Sequence, residues 1–201
     1  MNKEIVYIVD DDQAMRQSLQ WLMSSVSLAT ECFPTAQAFL DTLKLEQPSC
    51  LLLDMRMEGM SGLALQECLK PHSEALPTIF LTGHGDVPSA VHALKNGAFD
   101  YIEKPFSNQM LIERIYEALD KSRSEFQKIK THLEIEEKLS SLTSRERDVF
   151  NLLSMGYINK SIAHQLNVSE GTVERHRSRI MDKLRVTSLA DLISLGTVKN
   201  Q

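Results

Sequence analysis

Three adjacent carboxylates, Asp10, Asp11 and Asp12, follow directly on the apolar run of residues 5–9. Like charges at a strand end repel, and desolvating them is costly, so the arrangement calls for a cation. The same kind of ending recurs along the chain. CLLLD (50–54) stops at Asp54, PTIFLT (77–82) stops at Thr82, and AFDYI (98–102) is followed by Lys104-Pro105. If these ends share one edge, three carboxylates, a hydroxyl and an ammonium converge there. Hard oxygen ligands in such a set select a hard divalent cation, and Mg²⁺ fits. A lone Asp after a strand is usually a helix cap, and Asp12 is read that way, capping a helix that starts near Gln13. The joint placement at four strand ends is what points to a site.

The elements that must position these groups alternate. Runs rich in β-formers lie at 5–9, 50–54, 77–82 and 98–102, with a weaker one at 29–33. Helical spacing appears between them. Met15, Leu19, Leu22, Met23 and Val26 share one face, as do Ala36, Phe39, Leu40 and Leu43. Leu63, Leu65 and Leu69 are less clean; Val87, Val91 and Leu94 mark a fourth helix, and Leu111, Ile112, Ile115 and Leu119 a fifth. Five β-then-α units predict an α/β domain, a five-stranded parallel sheet with helices on both faces. Right-handed crossovers put all strand C-termini on one edge, where ligands of such sheets sit.

The 201 residues carry a net charge of −5 that is unevenly spread. Residues 1–121 hold 9 basic against 17 acidic side chains, 122–140 hold 4 against 4, and 141–201 hold 9 against 6. An acidic front and a basic back predict two domains, 1–121 and 141–201, the second able to meet a polyanion. Residues 107–140 lack Gly and Pro, and Ile115, Leu119, Ser122, Phe126, Ile129 and Leu133 step by 4, 3, 4, 3 and 4. The fifth helix is therefore expected to run on into a helical linker, 122–140, that packs on its own domains or pairs with a second copy. Cys32, Cys50 and Cys68 show no metal-ligand spacing and read as free thiols of a reducing cytosol. Neither a membrane span nor a signal-peptide pattern is present, so a cytoplasmic protein without a membrane partner is expected.

"VDDD" (9–12), "LLLDMRMEGMSG" (51–62), "FLTGHGDVPSAV" (80–91) and "YIEKPF" (101–106) together resemble the receiver domain of two-component response regulators. "TGHGD" and "EKPF" resemble its FixJ-type branch. The resemblance implies a flavodoxin-like fold and a phosphoprotein in which Asp54 takes a phosphoryl group from a sensor histidine kinase. Asp11 would ligate Mg²⁺ directly, Asp10 directly or through water, alongside Asp54 and the backbone carbonyl of Arg56. Thr82 and Lys104 would hold phosphoryl oxygens, and the Lys104–Pro105 bond would be cis. Tyr101 is either a half-buried strand residue or, with Thr82, a two-state switch, phosphorylation drawing Thr82 inward and Tyr101 filling the space. Arg56 and His84 would flank the pocket. The family usually has Pro four residues after the phosphorylated Asp; here Glu58 stands there, and Gly59 and Gly62 are expected to keep the turn. Beyond its own phosphoryl transfer and dephosphorylation, no enzymatic activity is expected.

In the last part, Thr143 or Ser144 can cap a helix carrying Val149, Leu152 and Leu153, and Gly156 ends it. Lys160–Leu166 forms a second helix, "NVSEGT" a tight turn, and residues 170–184 a third helix capped by Ser169, with a fourth from Ser188. Two helices joined by a short turn make a helix-turn-helix. Projection of 170–184 puts Val173, Ile180 and Leu184 on a core stripe and Arg175, Ser178 and Asp182 opposite, flanked by Glu174 and Arg179. Arg175 suits bidentate contact with guanine, whereas Lys160, Thr172 and Arg179 suit phosphates. Arg177 lies near the core stripe and would snorkel. "LTSRERDVF", "NKSIAHQL", "SEGTVERH" and "IMDKL" resemble the LuxR-type DNA-binding domain. That implies a recognition helix in the major groove of double-stranded DNA and homodimers on two half-sites, with RNA polymerase a further partner. The combined reading is a phosphorylation-dependent regulator of transcription. Two alternatives stand beside it: a phosphohydrolase of the haloacid dehalogenase type using Asp10 as nucleophile with Asp12, and a phosphate sink that never binds DNA.

Overall fold

A computed structural model of the chain describes residues 4–83 and 87–199. The chain divides into two compact units, Met1–Gln127 and Lys128–Gln201. The division falls inside the stretch 122–140.

In the first unit five strands alternate with helices: β1 (Ile5–Val9), α1 (Gln13–Ser25), β2 (Ala29–Phe33), α2 (Ala36–Thr42), β3 (Ser49–Asp54), α3 (Gly62–Leu69), β4 (Thr78–Thr82), α4 (Val87–Lys95), β5 (Asp100–Glu103) and α5 (Asn108–Ser140). The sheet is parallel throughout, in the order β2-β1-β3-β4-β5. The α/β expectation is met, including the weak second strand. Every residue of β3 is buried, because helices cover both faces of this central strand. Its alternate side chains serve two cores. Cys50 and Leu52 pack with α1 and α5 through Leu19, Met23, Ile115 and Leu119. Leu51 and Leu53 pack with α2, α3 and α4 through Phe39, Leu65, Leu69 and Ala93. Asp12, Thr35 and Ser61 cap α1, α2 and α3 with their side chains, satisfying N–H groups the helices leave open.

Two stretches use their apolar residues differently from the simple stripe. On α4, Val87, Val91 and Leu94 are exposed, Val87 to 76%, and Ala93 is the buried residue. The small side chain lets α4 sit close to its neighbours, and the spacing of the larger ones marks the helix without marking its inner face. On α5, Ile115, Leu119 and Ser122 are buried, whereas Ile129 and Leu133 are exposed, Leu133 to 60%. Ser122 is a structural polar residue of the first unit. Its Oγ accepts from the main-chain N–H of Ser49 at 3.0 Å and donates to the carbonyl of Ala75 at 2.5 Å, so the start of β3 is tied to α5.

The second unit is helical: after the end of α5 come α6 (Ser144–Ser154), α7 (Asn159–Leu166), α8 (Glu170–Leu184) and α9 (Leu189–Lys199). Its core gathers Ile135, Leu139, Val149, Phe150, Ile162, Val173, Ile180, Leu184 and Leu192. Thr143 and Glu146 form a reciprocal capping box at the start of α6. Asn167, in the left-handed region at φ 53, ends α7 and begins the turn into α8, which Ser169 caps. Among the described residues no helix is long and apolar enough to cross a membrane.

Candidate functional site

In the strand order, β1 lies between β2 and β3, so the chain leaves β1 in one direction and β3 continues in the other. At such a switch point the loops after β1 and β3 part and leave a crevice at the strands' C-terminal ends. Asp10, Asp11 and Asp12 follow β1 there, Asp54 ends β3, Thr82 ends β4, and Lys104 follows β5. Asp10 (2% exposed), Asp54 (8%) and Thr82 (1%) are buried polar side chains.

Lys104 joins the acidic residues. Its Nζ lies 2.7 Å from Asp54 Oδ1 and 3.1 Å from Asp10 Oδ2. Its main-chain N–H donates to the carbonyl of Thr82 at 2.7 Å, so β4 holds the lysine's backbone while the acids hold its head. The Lys104–Pro105 bond is cis. Burial pulls the Lys104 ammonium down, but the hydrogen bond to Asp54 and the charges of Asp10 and Asp54 outweigh it, and the net shift is upward. Burial pushes the Asp10 carboxyl up, and the Asp54 charge adds to this, against the pull of the Asp12 N–H and Lys104.

The loops supply the remaining contacts. Asp10 Oδ1 accepts from the Asp12 N–H at 2.8 Å, and Asp12 Oδ1 accepts from the Ala14 N–H at 2.8 Å. Asp12 is the expected helix cap, engaged in that role and exposed. Asp54 Oδ2 accepts from the Arg56 N–H at 2.8 Å, and Asp11 Oδ2 accepts from the Glu58 N–H at 3.1 Å. Gly59 adopts φ +78, as the expected turn requires. Gly62 serves differently: a Cβ there would stand 2.3 Å from the Asp54 carbonyl oxygen, so close approach of α3 to β3 is what excludes a side chain. Among the described residues no three His, Cys, Asp or Glu side chains stand together as a ready metal cluster. The donors still suit Mg²⁺: all are hard oxygens, and a cation, Lys104, already bridges two of them.

Tyr101 packs against the core that contains Phe80 and Ala93, and its buried hydroxyl has no hydrogen-bond partner among the described residues. Arg56 is exposed beside the pocket. His84 lies outside the described residues. Arg16 was not among the expected site residues; its guanidinium donates to the main-chain carbonyl of Asp10 at 2.6 Å and braces the loop after β1. No local pattern marks it, because the contact forms only once the loop after β1 has folded.

In the second unit the recognition-helix expectation of 170–184 coincides with α8. Val173, Ile180 and Leu184 are buried as the projection requires, and Glu174, Arg175, Ser178, Arg179 and Asp182 are exposed. Lys160 is exposed near the start of α7, and Arg177 is half-buried. Thr172 is half-buried, its hydroxyl 2.8 Å from that of the cap Ser169. Glu146, 3% exposed, receives the Lys183 ammonium of α8 at 2.7 Å and the Thr143 N–H at 2.9 Å. These two bonds hold its carboxyl down at about 2. The pair fastens the C-terminal half of α8 to the start of α6. Glu146 sits three residues after Thr143, the spacing by which a capping box could have been recognised in the sequence.

Comparison with known proteins agrees with this construction. A family model described as a response regulator receiver domain matches residues 6–116, and one described as bacterial regulatory proteins of the luxR family matches residues 140–195. The chain is 41% identical over 189 residues to the response regulator protein TodT of Pseudomonas putida, covering 94% of this chain and 83% of the relative. It is 38% identical over 191 residues to the transcriptional regulatory protein FixJ of Bradyrhizobium diazoefficiens, covering 95% and 93%. Among solved structures, the response regulator StyR superposes with a TM-score of 0.84 at 44% identity, covering 96% of this chain and 98% of that one. Full-length FixJ from B. japonicum gives 0.59 at 36% identity, covering 100% and 98%. A chain built as a receiver followed by a LuxR-type helix-turn-helix, and alike over its whole length to regulators of that build, belongs to the FixJ-type two-component response regulators.

Proposed function

We propose that Asp54 is the phosphoryl acceptor of a two-component system and that its phosphorylation controls DNA binding by α8. A carboxylate oxygen of Asp54 attacks the phosphorus of a phosphohistidine on a sensor histidine kinase; the new O–P bond forms as the P–N bond breaks, and the imidazole leaves. Such transfers need alignment and charge neutralisation more than covalent help. Asp10, Asp11, Asp54 and the Arg56 carbonyl would hold Mg²⁺, which when bound offsets charge on the transferring oxygens. The Lys104 ammonium, 2.7 Å from Asp54, and the Thr82 hydroxyl take phosphoryl oxygens. Tyr101, whose hydroxyl has no hydrogen-bond partner among the described residues, reports the displacement of Thr82 to the surface of the receiver. The phosphorylated chain dimerises in the cytoplasm and sets two copies of α8 on promoter half-sites, with Arg175, Ser178 and Glu174 towards base edges and Lys160, Thr172 and Arg179 towards phosphates, where RNA polymerase is the further partner. Apart from turning over its own phosphoryl group, the chain is not an enzyme.

The observation that carries this reading is the Lys104 bridge between Asp10 and Asp54 at the switch point of the sheet. The test is operator affinity of the wild type and of Asp54→Asn, with and without a small-molecule phosphodonor and MgCl₂. The reading expects the donor to tighten binding by the wild type alone. Equal tightening of Asp54→Asn would overturn it. The phosphohydrolase alternative is disfavoured because Asp12, its required second acid, is spent on capping α1.

A further inference from the structure

We propose that the main-chain N–H of Glu58 is a positioning group for Asp11, holding that carboxylate in the orientation from which it takes a divalent cation. The proposal rests on the reading of this pocket as a Mg²⁺-assisted phosphoryl acceptor and goes beyond it by assigning a role to a residue outside the ligand set.

Asp11 is the one exposed acid among the three expected cation ligands, on the loop after β1. Asp10 and Asp54 are buried and bridged by Lys104. Asp11 has no comparable packing, so its side chain is the one whose rotamers most need restraint. The restraint comes from 47 positions along the chain: the Glu58 N–H donates to Asp11 Oδ2 at 3.1 Å. Two residues earlier in the same loop, the Arg56 N–H donates to Asp54 Oδ2 at 2.8 Å. The backbone of one loop therefore addresses two carboxylates with alternate N–H groups, and the Arg56 carbonyl lies on the segment between them. With Oδ2 of Asp11 held by the amide, Oδ1 is the atom the proposal assigns to the cation.

Proline, the usual residue at this point of the family's pattern, has no N–H and could not make the bond. Glu58 departs from that pattern, and its contribution is the backbone donor. The side chain of Glu58 is exposed and is not required. Fixing a ligand before binding removes the cost of ordering it during binding. The cost of ordering one such side chain corresponds to a change of about three- to tenfold in affinity.

The test is a titration of the full ¹⁵N-labelled chain with MgCl₂, reading amide shifts of the pocket, for the wild type, Glu58→Pro and Glu58→Gln. Glu58→Gln keeps the donor and removes the charge; it is expected to bind Mg²⁺ within about twofold of the wild type. Glu58→Pro is expected to bind about three- to tenfold more weakly. Equal affinities of all three, or a loss confined to Glu58→Gln, would overturn the proposal while leaving the phosphoryl-acceptor reading intact. A second measurement does not depend on the proline variant folding. Hydrogen exchange of the wild-type Glu58 amide should stay as slow in saturating MgCl₂ as without it, and faster exchange on loading would mean that Asp11 leaves the amide to reach the cation. Absence of any Mg²⁺ response in the wild type would overturn both this inference and the reading beneath it.

Discussion

Replacing Gly62 by Ala presses directly on Asp54, the proposed phosphoryl acceptor. The added Cβ would stand 2.3 Å from the Asp54 carbonyl oxygen and 3.1 Å from Phe80 Cε1. Neither neighbour yields easily. The oxygen is backbone of a strand paired on both sides, and Phe80 is fully buried. Non-bonded contact needs roughly 3.5 Å, so β3 and α3 must part by about 1 Å. Overpacking of this kind costs about 1–3 kcal/mol. Exchanging Gly for Ala returns at most about 1 kcal/mol through a less flexible unfolded chain. The net loss is about 1–2 kcal/mol, which at an m-value of about 2 kcal/mol/M lowers the receiver's urea midpoint by roughly 0.5–1 M. Amide resonances of β3, followed through a urea titration of the full chain, report this unit alone. Phosphorylation by a small-molecule donor should slow as well, because the displaced backbone carries Asp54. A variant with an unchanged midpoint and an unchanged rate would refute the view that α3 abuts the acceptor strand without space for a methyl group.

Ser122→Ala leaves the Ser49 N–H and the Ala75 carbonyl without their buried partner, and it should lower receiver stability by about 1–3 kcal/mol in the same urea titration. For the second unit, the Glu146 carboxyl is depressed in the fold, so its stabilising contribution is present above the ordinary value near 4.5 and is lost as pH falls towards about 2. Lys183 is more than a third exposed, so solvent screening holds its share to about 1 kcal/mol. Lys183→Met should lower the melting temperature at pH 7 and flatten its fall between pH 5 and pH 3 in thermal melts followed by circular dichroism. Arg175→Ala should cost about 1–3 kcal/mol on the preferred operator and less on unrelated DNA, whereas Lys160→Ala should weaken both alike and reduce the salt slope by about 1, as read by fluorescence anisotropy.

The parallel sheet was legible because its strands are apolar runs ending in polar residues of distinct chemistry, and an alternating order leaves few topologies open. The pocket was legible for the same reason: Asp10, Asp54, Thr82 and Lys104 are each the terminal mark of a strand. The helix α8 was legible because Ser169 caps it and Val173, Ile180 and Leu184 keep a helical period. What stayed hidden depends on contacts that no local pattern encodes. Val87, Val91 and Leu94 have the spacing of a core face, yet Ala93 is what α4 buries. Ser122 looks like a polar lapse in a heptad, and only the fold brings the Ser49 N–H and Ala75 carbonyl to it. The Glu58 and Arg56 amides act through the backbone, so their side-chain identities announce nothing except, at Glu58, that the residue is not proline. The Arg16 contact to the Asp10 carbonyl likewise appears only once the loop after β1 has its shape.

Asp54 is proposed as the residue of the pocket that accepts the phosphoryl group. The most direct test of this is to phosphorylate the full chain with a small-molecule donor in MgCl₂, trap the acyl phosphate by borohydride reduction, and locate the modified residue by peptide mass spectrometry. The account predicts modification at Asp54 and its loss in Asp54→Asn. Modification at Asp10 or Asp12, or undiminished labelling of the Asp54→Asn chain, would contradict it.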